Sequence, residues 1–580
     1  MIRFLVGSMF VFAAVGCDHA PSTQSRPSQA SPSADSRESA EIFTYVSGIL
    51  NGLDQFDTAV SLKDDTARLN DAARRLLENG VPPTLISQLN QWAASQPPVD
   101  GWHRDALLES LPDALRSLPQ LKQLDSRTFT TDDGFDLRQA VWLRNISQSA
   151  AGQAQNDLEL AVGLFDWVVR NIQLDGEPPP PDDESEVEPP LPLLPWQLLL
   201  LGHGRAIDRA WLFTLLARQQ GLDVVVLSRN RGQDSGVGGQ GDGGREDAGT
   251  QASETPDFWL PALLLNDELY LFDAGLGLPI PGPDGTGVAT LSQAAGDDAV
   301  LRQLDLDADD RYPLSQADLS DVAALVEASP MYLCERMALV ESQLSGDQKI
   351  VLSVNASGVA ERAKACPHVA AARLWSLPYD RADAVRRGRR KFTRRLSVEL
   401  EPFAVPYFEK KGKGVEFSPA LWRARTLHLF GKYVGPGGAS RYYQIARPAD
   451  ADQARQMNNE FAEAQNLMQV NPDASRRKRE AVEHLIECAR TAKQDASYWL
   501  GLIALERQDY ETAIDYFSKR TLEAYPEGPW TNGAHYNLAR AYEASGKPDE
   551  AIEMYREVDS PQRHGNLLRA RKLKEERGGP

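Results

Sequence analysis

Residues 157–172 read DLELAVGLFDWVVRNI, residues 204–228 read GRAIDRAWLFTLLARQQGLDVVVLS, and residues 258–273 read FWLPALLLNDELYLFD. In the first, Leu158, Val162, Phe165, Val169 and Ile172 recur at the spacing that lines one face of a helix. The second predicts a helix from about Gly204 to Gln220, then a short β-branched run, Asp223–Ser228, that suits a buried strand. The third predicts two strands, Phe258–Leu265 and Glu268–Asp273, around an Asn266-Asp267 turn. The order helix, helix, strand, strand, strand predicts an α+β unit. Two stretches interrupt it. The acidic polyproline run EPPPPDDESEVEPPLPLLP (177–195) cannot continue a helix. Residues 229–256, rich in Gly and Asp, are expected to form a disordered insertion.

Around this unit the 580-residue chain carries 62 Lys+Arg against 82 Asp+Glu, a formal charge of −20. So acidic a balance argues against a nucleic-acid binder, because phosphate neutralisation needs a basic surface. Four cysteines, Cys17, Cys334, Cys366 and Cys488, lie far apart with no CxxC pair, which argues against a disulfide scaffold and a thiolate-rich zinc module. Cys334 and Cys366 either pair in an oxidising compartment or stay free. Cys488 has His484 four residues before it on a predicted helix, a spacing that metal pairs use, but no further ligand is evident nearby and no metal site is expected. No cofactor is expected either. The run GVGGQGDGG (236–244) lacks the Lys-Ser/Thr of a P-loop and the strand–helix setting of a dinucleotide site.

The expected organisation is multidomain α+β. Residues 1–16 read as a signal peptide, with the cation Arg3 ahead of the apolar run Phe4–Val15, which is too short to span a bilayer. Residues 17–40, rich in Ser, Pro, Gln and Ala, read as a flexible tether. Residues 41–123 read as a helical domain, with Leu62, Leu69, Ala73, Leu76 and Leu77 at helical spacing. The α+β core is placed at 124–303 and a mixed α/β region at 304–450, with strands expected at Lys349–Val354 and Leu396–Leu400. The basic stretch Arg386, Arg387, Arg389, Arg390, Lys391, Arg394 and Arg395 is either a solvated face or a patch for anionic lipid or an acidic partner. Residues 451–580 read as wholly helical.

Two segments of that last region align at a period of 38: YWLGLIALERQDYETAIDYF from Tyr498 and YNLARAYEASGKPDEAIEMY from Tyr536. Small residues at 501, 513, 539 and 551 let paired helices approach closely, and large residues fill the groove between them. The pattern resembles the tetratricopeptide repeat, whose usual period is about 34. REAVEHLIECARTA (479–492) reads as the second helix of a degenerate preceding repeat. The resemblance implies a groove for a protein partner, with Tyr498, Leu500, Tyr536, Asn537 and Tyr542 as its candidate lining.

The sequence Ala14-Val15-Gly16-Cys17 resembles the bacterial lipobox. That resemblance implies cleavage before Cys17, diacylglycerol on its sulfur, and a chain anchored in a bacterial membrane on its extracytoplasmic or periplasmic face. An ordinary secretory signal with a chance cysteine is the other reading. Asp18 bears on inner- against outer-membrane sorting in some bacteria and leaves that choice open.

The segment from about Leu137 to Leu291 resembles the transglutaminase-like superfamily, a papain-related fold. In active members a helix like LFDWVVRNI precedes a Gly-x-Cys helix, a strand carrying His-x-Trp, and a strand ending in Asp. The resemblance implies a Cys nucleophile at a helix start, with the Asp orienting the His. Here Ala206 takes the nucleophile's place, Asp257 of Asp257-Phe258-Trp259 takes the histidine's, and Asp273 keeps its own. An alanine methyl cannot attack an acyl group, and no Cys lies between residues 18 and 333. His203, Asp208 and Trp259 are the remaining cleft candidates, although a His beside a Gly-rich helix start also serves as a cap or packing residue. The expected function is therefore binding by a catalytically inactive core, with protein or peptide partners. One alternative is a hydrolase or amidase using Asp257 and Asp273 as acid and base in the same cleft. Another is a purely structural scaffold with a vestigial cleft.

Overall fold

The computed structural model describes residues 42–50, 83–176, 192–230, 258–387, 398–405, 407–411, 414–448, 471–557 and 559–578. Of the expectations above, Cys17, the residues between Leu62 and Leu77, Asp257 and most of the basic stretch lie outside them. Helix α1 (Thr131–Ala150) opens on a capping box in which the Asp133 amide donates to Thr130 Oγ1 and the Thr130 amide to the Asp133 carboxylate. Helix α2 (Asp157–Asn171) is capped by Asn156, which accepts from the Glu159 amide. The two-residue strands β1 (Gln173–Leu174) and β2 (His203–Gly204) then pair in parallel around α3 (Pro195–Leu201). Helix α4 (Ala206–Gln219) leads into β3 (Asp223–Arg229).

The hairpin of β4 (Leu260–Leu265) and β5 (Glu268–Asp273) turns through Asn266 and Asp267, both left-handed at φ 52° and 60°. Two consecutive positive φ values are what a tight hairpin turn needs, and Asn and Asp tolerate them. With β6 (Leu278–Pro279), β7 (Val322–Val326) and β8 (Val369–Leu374), these strands form a six-stranded sheet in the order β6-β5-β4-β3-β7-β8. Every neighbouring pair is antiparallel except β7–β8, which is parallel and is joined by a crossover that includes α5 (Ala356–Ala365). The sheet thus draws strands from both sides of residue 303. Lys349–Val354, expected as a strand, is irregular, because the Gln219 side chain takes up both the amide and the carbonyl of Val351. Residues 398–400 are helix and turn, where the end of a strand was expected.

Helix α4 lies between β3 and β4 on one side and α1 and α2 on the other, and every residue from Asp208 to Arg218 is buried. That sandwiched position explains a helix that is apolar nearly all round. Phe165 of α2, Phe213 of α4 and Phe272 of β5 meet there with ring centroids 5.0–5.2 Å apart.

Beyond residue 400 the chain forms α6 (Glu401–Ala404), the hairpin β9 (Tyr407–Lys411) and β10 (Gly414–Ser418), α7 (Ala420–Leu429), α8 (Ala439–Ile445), α9 (Pro472–Glu506), α10 (Tyr510–Asp515), α11 (Thr531–Ala544), α12 (Pro548–Arg556) and α13 (Arg563–Gly578). REAVEHLIECARTA lies inside the single long helix α9 rather than forming a helix of its own. After α10 the chain widens into a π-helical turn, Tyr516–Leu522. A Cβ at Gly501 would lie 2.6 Å from the Phe517 ring, so the small residue there permits the close crossing of the repeat hairpin. Among the described residues, no helix is long and apolar enough to cross a membrane. Removing the Phe272 ring from the three-ring centre leaves a cavity that sheet and helices cannot jointly close. Phe272→Ala is therefore expected to lower unfolding free energy by about 3–5 kcal/mol in chemical denaturation.

Candidate functional site

Two places gather the residues singled out above: the start of α4, and the seam between the core and the C-terminal repeats. At the first, Ala206 is the opening residue of α4 and sits beside the turn after β5. A Cβ built on Gly275 would lie 3.8 Å from the Ala206 methyl and 3.3 Å from Asp273 Oδ1. Asp273 Oδ1 accepts from the amides of Gly275 and Leu276, both at 2.8 Å, and Oδ2 accepts from the Tyr312 hydroxyl at 2.7 Å. Its carboxylate thus closes the β5–β6 turn and ties it to Tyr312. Burial and the Asp273 carboxylate together push the Tyr312 phenol up. Asp208 is buried and accepts from the amides of Arg205 and Leu193, so it caps α4 and fixes the chain entering α3. Trp259 is half-buried, its ring 6.4 Å from that of Trp375. Cys334 and Cys366 are both buried free thiols.

The second place holds His203, the other cleft candidate, together with most of the repeat-groove candidates. His203 Nδ1 lies 2.8 Å from Asp175 Oδ2, and its ring meets Trp530 edge-on at 6.2 Å. Gln173 of β1 donates to the Pro529 carbonyl at 2.8 Å and accepts from the Gly533 amide at 2.7 Å. One turn along α11, Asn537 Nδ2 donates to the Arg170 carbonyl and to the Tyr498 hydroxyl, each at 3.0 Å. Arg540, a further turn on, pairs with Asp166 of α2. Gly533, Asn537 and Arg540 are spaced i, i+4, i+7, so one face of α11 grips the C-terminal end of α2 and β1. A Cβ at Gly533 would lie 2.6 Å from the Tyr498 hydroxyl and 2.9 Å from Gln173 Oε1, so only glycine admits this approach. Tyr498 stacks flat on Trp530 at 4.4 Å.

The gap left at the seam, lined by Arg209, Tyr498, Tyr536, Asn537 and Gln562 among others, measures about 10 Å³, room for one water at most. Tyr498, Tyr536 and Asn537 therefore face a segment of this same chain. Leu500 is buried and packed into the hydrophobic core, and Tyr542 is half-buried with Lys547 5.9 Å from its ring.

Sequence reading missed the residues that build this seam: Gln173, Arg209, Asp495, Trp530, Gly533 and Arg540. Arg209 gave the available signal, one of two cations, with Arg218, in a largely apolar buried helix. Its guanidinium is buried and donates to the carbonyls of Val169, Ile172 and Ala274 and to Gln562 Oε1. Burial draws its pKa down to about 10.

The seam's electrostatics have a definite pH sense. Burial pushes the Asp495 carboxyl from 3.8 up to about 7, against the bond it accepts from Trp530 Nε1 and the nearby His203 and Arg425. Burial by itself would lower His203, but the bond to Asp175, with Glu399 and Asp495 nearby, raises it above its ordinary 6.5. Both groups bind protons more readily in the folded state. Asp495's contribution is complete below pH 3.8 and declines as pH rises to about 7, and that of His203 is lost as pH climbs through its raised value. Asp166 has the opposite sense. Burial would raise it, but Arg540, Arg170 and Arg569 together hold it well below the carboxylate range, so its contribution is lost only in strong acid. Urea unfolding is therefore expected to give a stability that falls between pH 5 and pH 8 by a few kcal/mol, at roughly 1.4 kcal/mol per pKa unit. Asp495→Asn is expected to flatten that slope.

Two comparisons with known proteins bear on the whole chain, and no curated protein and no solved structure matches it. Family models of the tetratricopeptide repeat match residues 473–529 and 534–558. Helices α9 to α12 are accordingly similar to tetratricopeptide repeats, which generally mediate protein–protein interaction, and here the face of α11 bearing Gly533, Asn537 and Arg540 meets α2 and β1.

Proposed function

We propose that this protein is a membrane-anchored, extracytoplasmic binding scaffold: a transglutaminase-like core without a nucleophile, held rigidly by its own tetratricopeptide-like repeats, that receives a peptide or protein segment at the start of α4. The observation that carries this reading is the chemistry at that helix start. Ala206 offers a methyl where the related enzymes need a thiolate, and Asp273 is engaged by two amides of its own turn and by the Tyr312 hydroxyl. A helix start still presents unpaired backbone amides and the positive end of its dipole, which suits a carbonyl or carboxylate of a bound segment. The repeats serve the core as an internal brace, leaving their outer helices for further protein contacts. Lipidation at Cys17 supplies the anchor. The hydrolase or amidase alternative draws on Asp257 and Asp273, and the bonds already made by Asp273 count against it.

Incubation of the full chain with peptide-amide and amine substrates is expected to give no turnover. Turnover that survives replacement of Cys334, Cys366 and Cys488 but fails in Asp273→Ala would overturn the proposal. In cross-linking pull-downs, Ala206→Trp is expected to remove the captured segment while leaving thermal stability within a few degrees of the parent; capture that persists in this variant would assign binding elsewhere. Cys17→Ser is expected to abolish incorporation of labelled fatty acid and to release the chain into the soluble fraction.

A further inference from the structure

Helix α9 carries His484 and Cys488 one turn apart on the same face, and the short helix α6 brings Glu401 against it from 83 residues earlier in the chain. His484 Nε2 lies 2.5 Å from Glu401 Oε2, and Cys488 Sγ lies 3.7 Å from both atoms. Imidazole, thiol and carboxylate thus converge on one point. Ligand atoms around a tetrahedral zinc ion, at about 2.3 Å for sulfur and 2.0 Å for nitrogen, stand roughly 3.5 Å from one another. The two sulfur separations already match, and the His484–Glu401 pair must open by less than about 1 Å.

A second observation concerns Glu401. Its side chain is 1 % exposed, and its other oxygen, Oε1, is buried without a hydrogen-bond partner. A buried carboxylate with an idle oxygen, facing a buried thiol, leaves charge and lone pairs uncompensated, and a divalent cation supplies what both lack. On the other side His484 is 46 % exposed, so the point of convergence opens to solvent there.

We propose that Glu401, His484 and Cys488 form a binding site for a divalent cation of the zinc class, with its fourth position open to water or to a side chain of a partner. Binding displaces the proton shared by His484 and Glu401 and the thiol proton of Cys488, and the sulfur binds as thiolate. The mixed sulfur, nitrogen and oxygen donors suit zinc better than calcium or magnesium, which take oxygen ligands. The site clamps α6 onto the first half of α9, where the repeats begin.

The test uses the full chain after chelator treatment, titrated with cobalt(II) and with zinc. One equivalent of cobalt is expected to produce a thiolate-to-cobalt charge-transfer band in the near ultraviolet, bleached by zinc, and zinc is expected to raise the melting temperature. Cys488→Ser is expected to abolish the band. His484→Gln, at a half-exposed position where folding is not at stake, is expected to weaken zinc binding at least about tenfold and to remove the thermal shift. Cys334→Ser and Cys366→Ser are expected to change neither readout. Absence of the band in the parent chain, its survival in Cys488→Ser, or unaltered zinc affinity in His484→Gln would overturn the proposal.

Discussion

The arrangement of this molecule turns on a buried guanidinium. Arg209 projects from α4 into the C-terminal end of α2, where the last turn of a helix leaves carbonyls without partners, and it satisfies those of Val169 and Ile172. The same group reaches the Ala274 carbonyl after β5 and the Gln562 side chain at the entry to α13. Core helix, sheet edge and repeat region thus share one donor. Arg425 repeats the device: it donates to the carbonyls of Leu199 and Leu200 at the end of α3 while lying over the Trp499 ring of α9 at 4.5 Å. Each arginine meets the negative end of a helix dipole, which offsets part of the cost of burying its charge.

These two contacts explain why the repeats do not behave as an appendage. A short tetratricopeptide-like array has too little core of its own to be stable, since stacking across about three units is needed for a continuous interior. Here the α+β core supplies a packing partner: Gln173, Asn537 and Arg540 provide polar bonds between the repeat region and α2 and β1. The start of α4 and the repeat helices therefore keep a fixed relation through α2, β1 and α11.

Local chemistry made much of the fold legible in the sequence. Helices α2 and α4 follow from spacing, β3 to β5 from short apolar runs, and the hairpin turn from Asn266-Asp267. The repeat hairpins follow from the small residues at 501, 513, 539 and 551. Strands β7 and β8 were missed, because VAALV and the alanine-rich VAAARL have little β character of their own and become strands by completing a sheet. Lys349–Val354 failed for the converse reason, since a side chain from α4 claims its backbone bonds. The seam was illegible because its partners stand hundreds of residues apart, and the meeting of Glu401 with His484 was illegible for the same reason.

The central claim is that repeats and core are one cooperative unit joined through α2, β1 and α11. Hydrogen exchange followed by mass spectrometry along a urea gradient tests it most directly. Peptides covering 164–175 and 531–544 are expected to lose protection together, in a single step shared with the sheet. Loss of protection in 531–544 well below the denaturant concentration that releases 164–175 would contradict it, and would mean that the repeats rest on the core without being built into it.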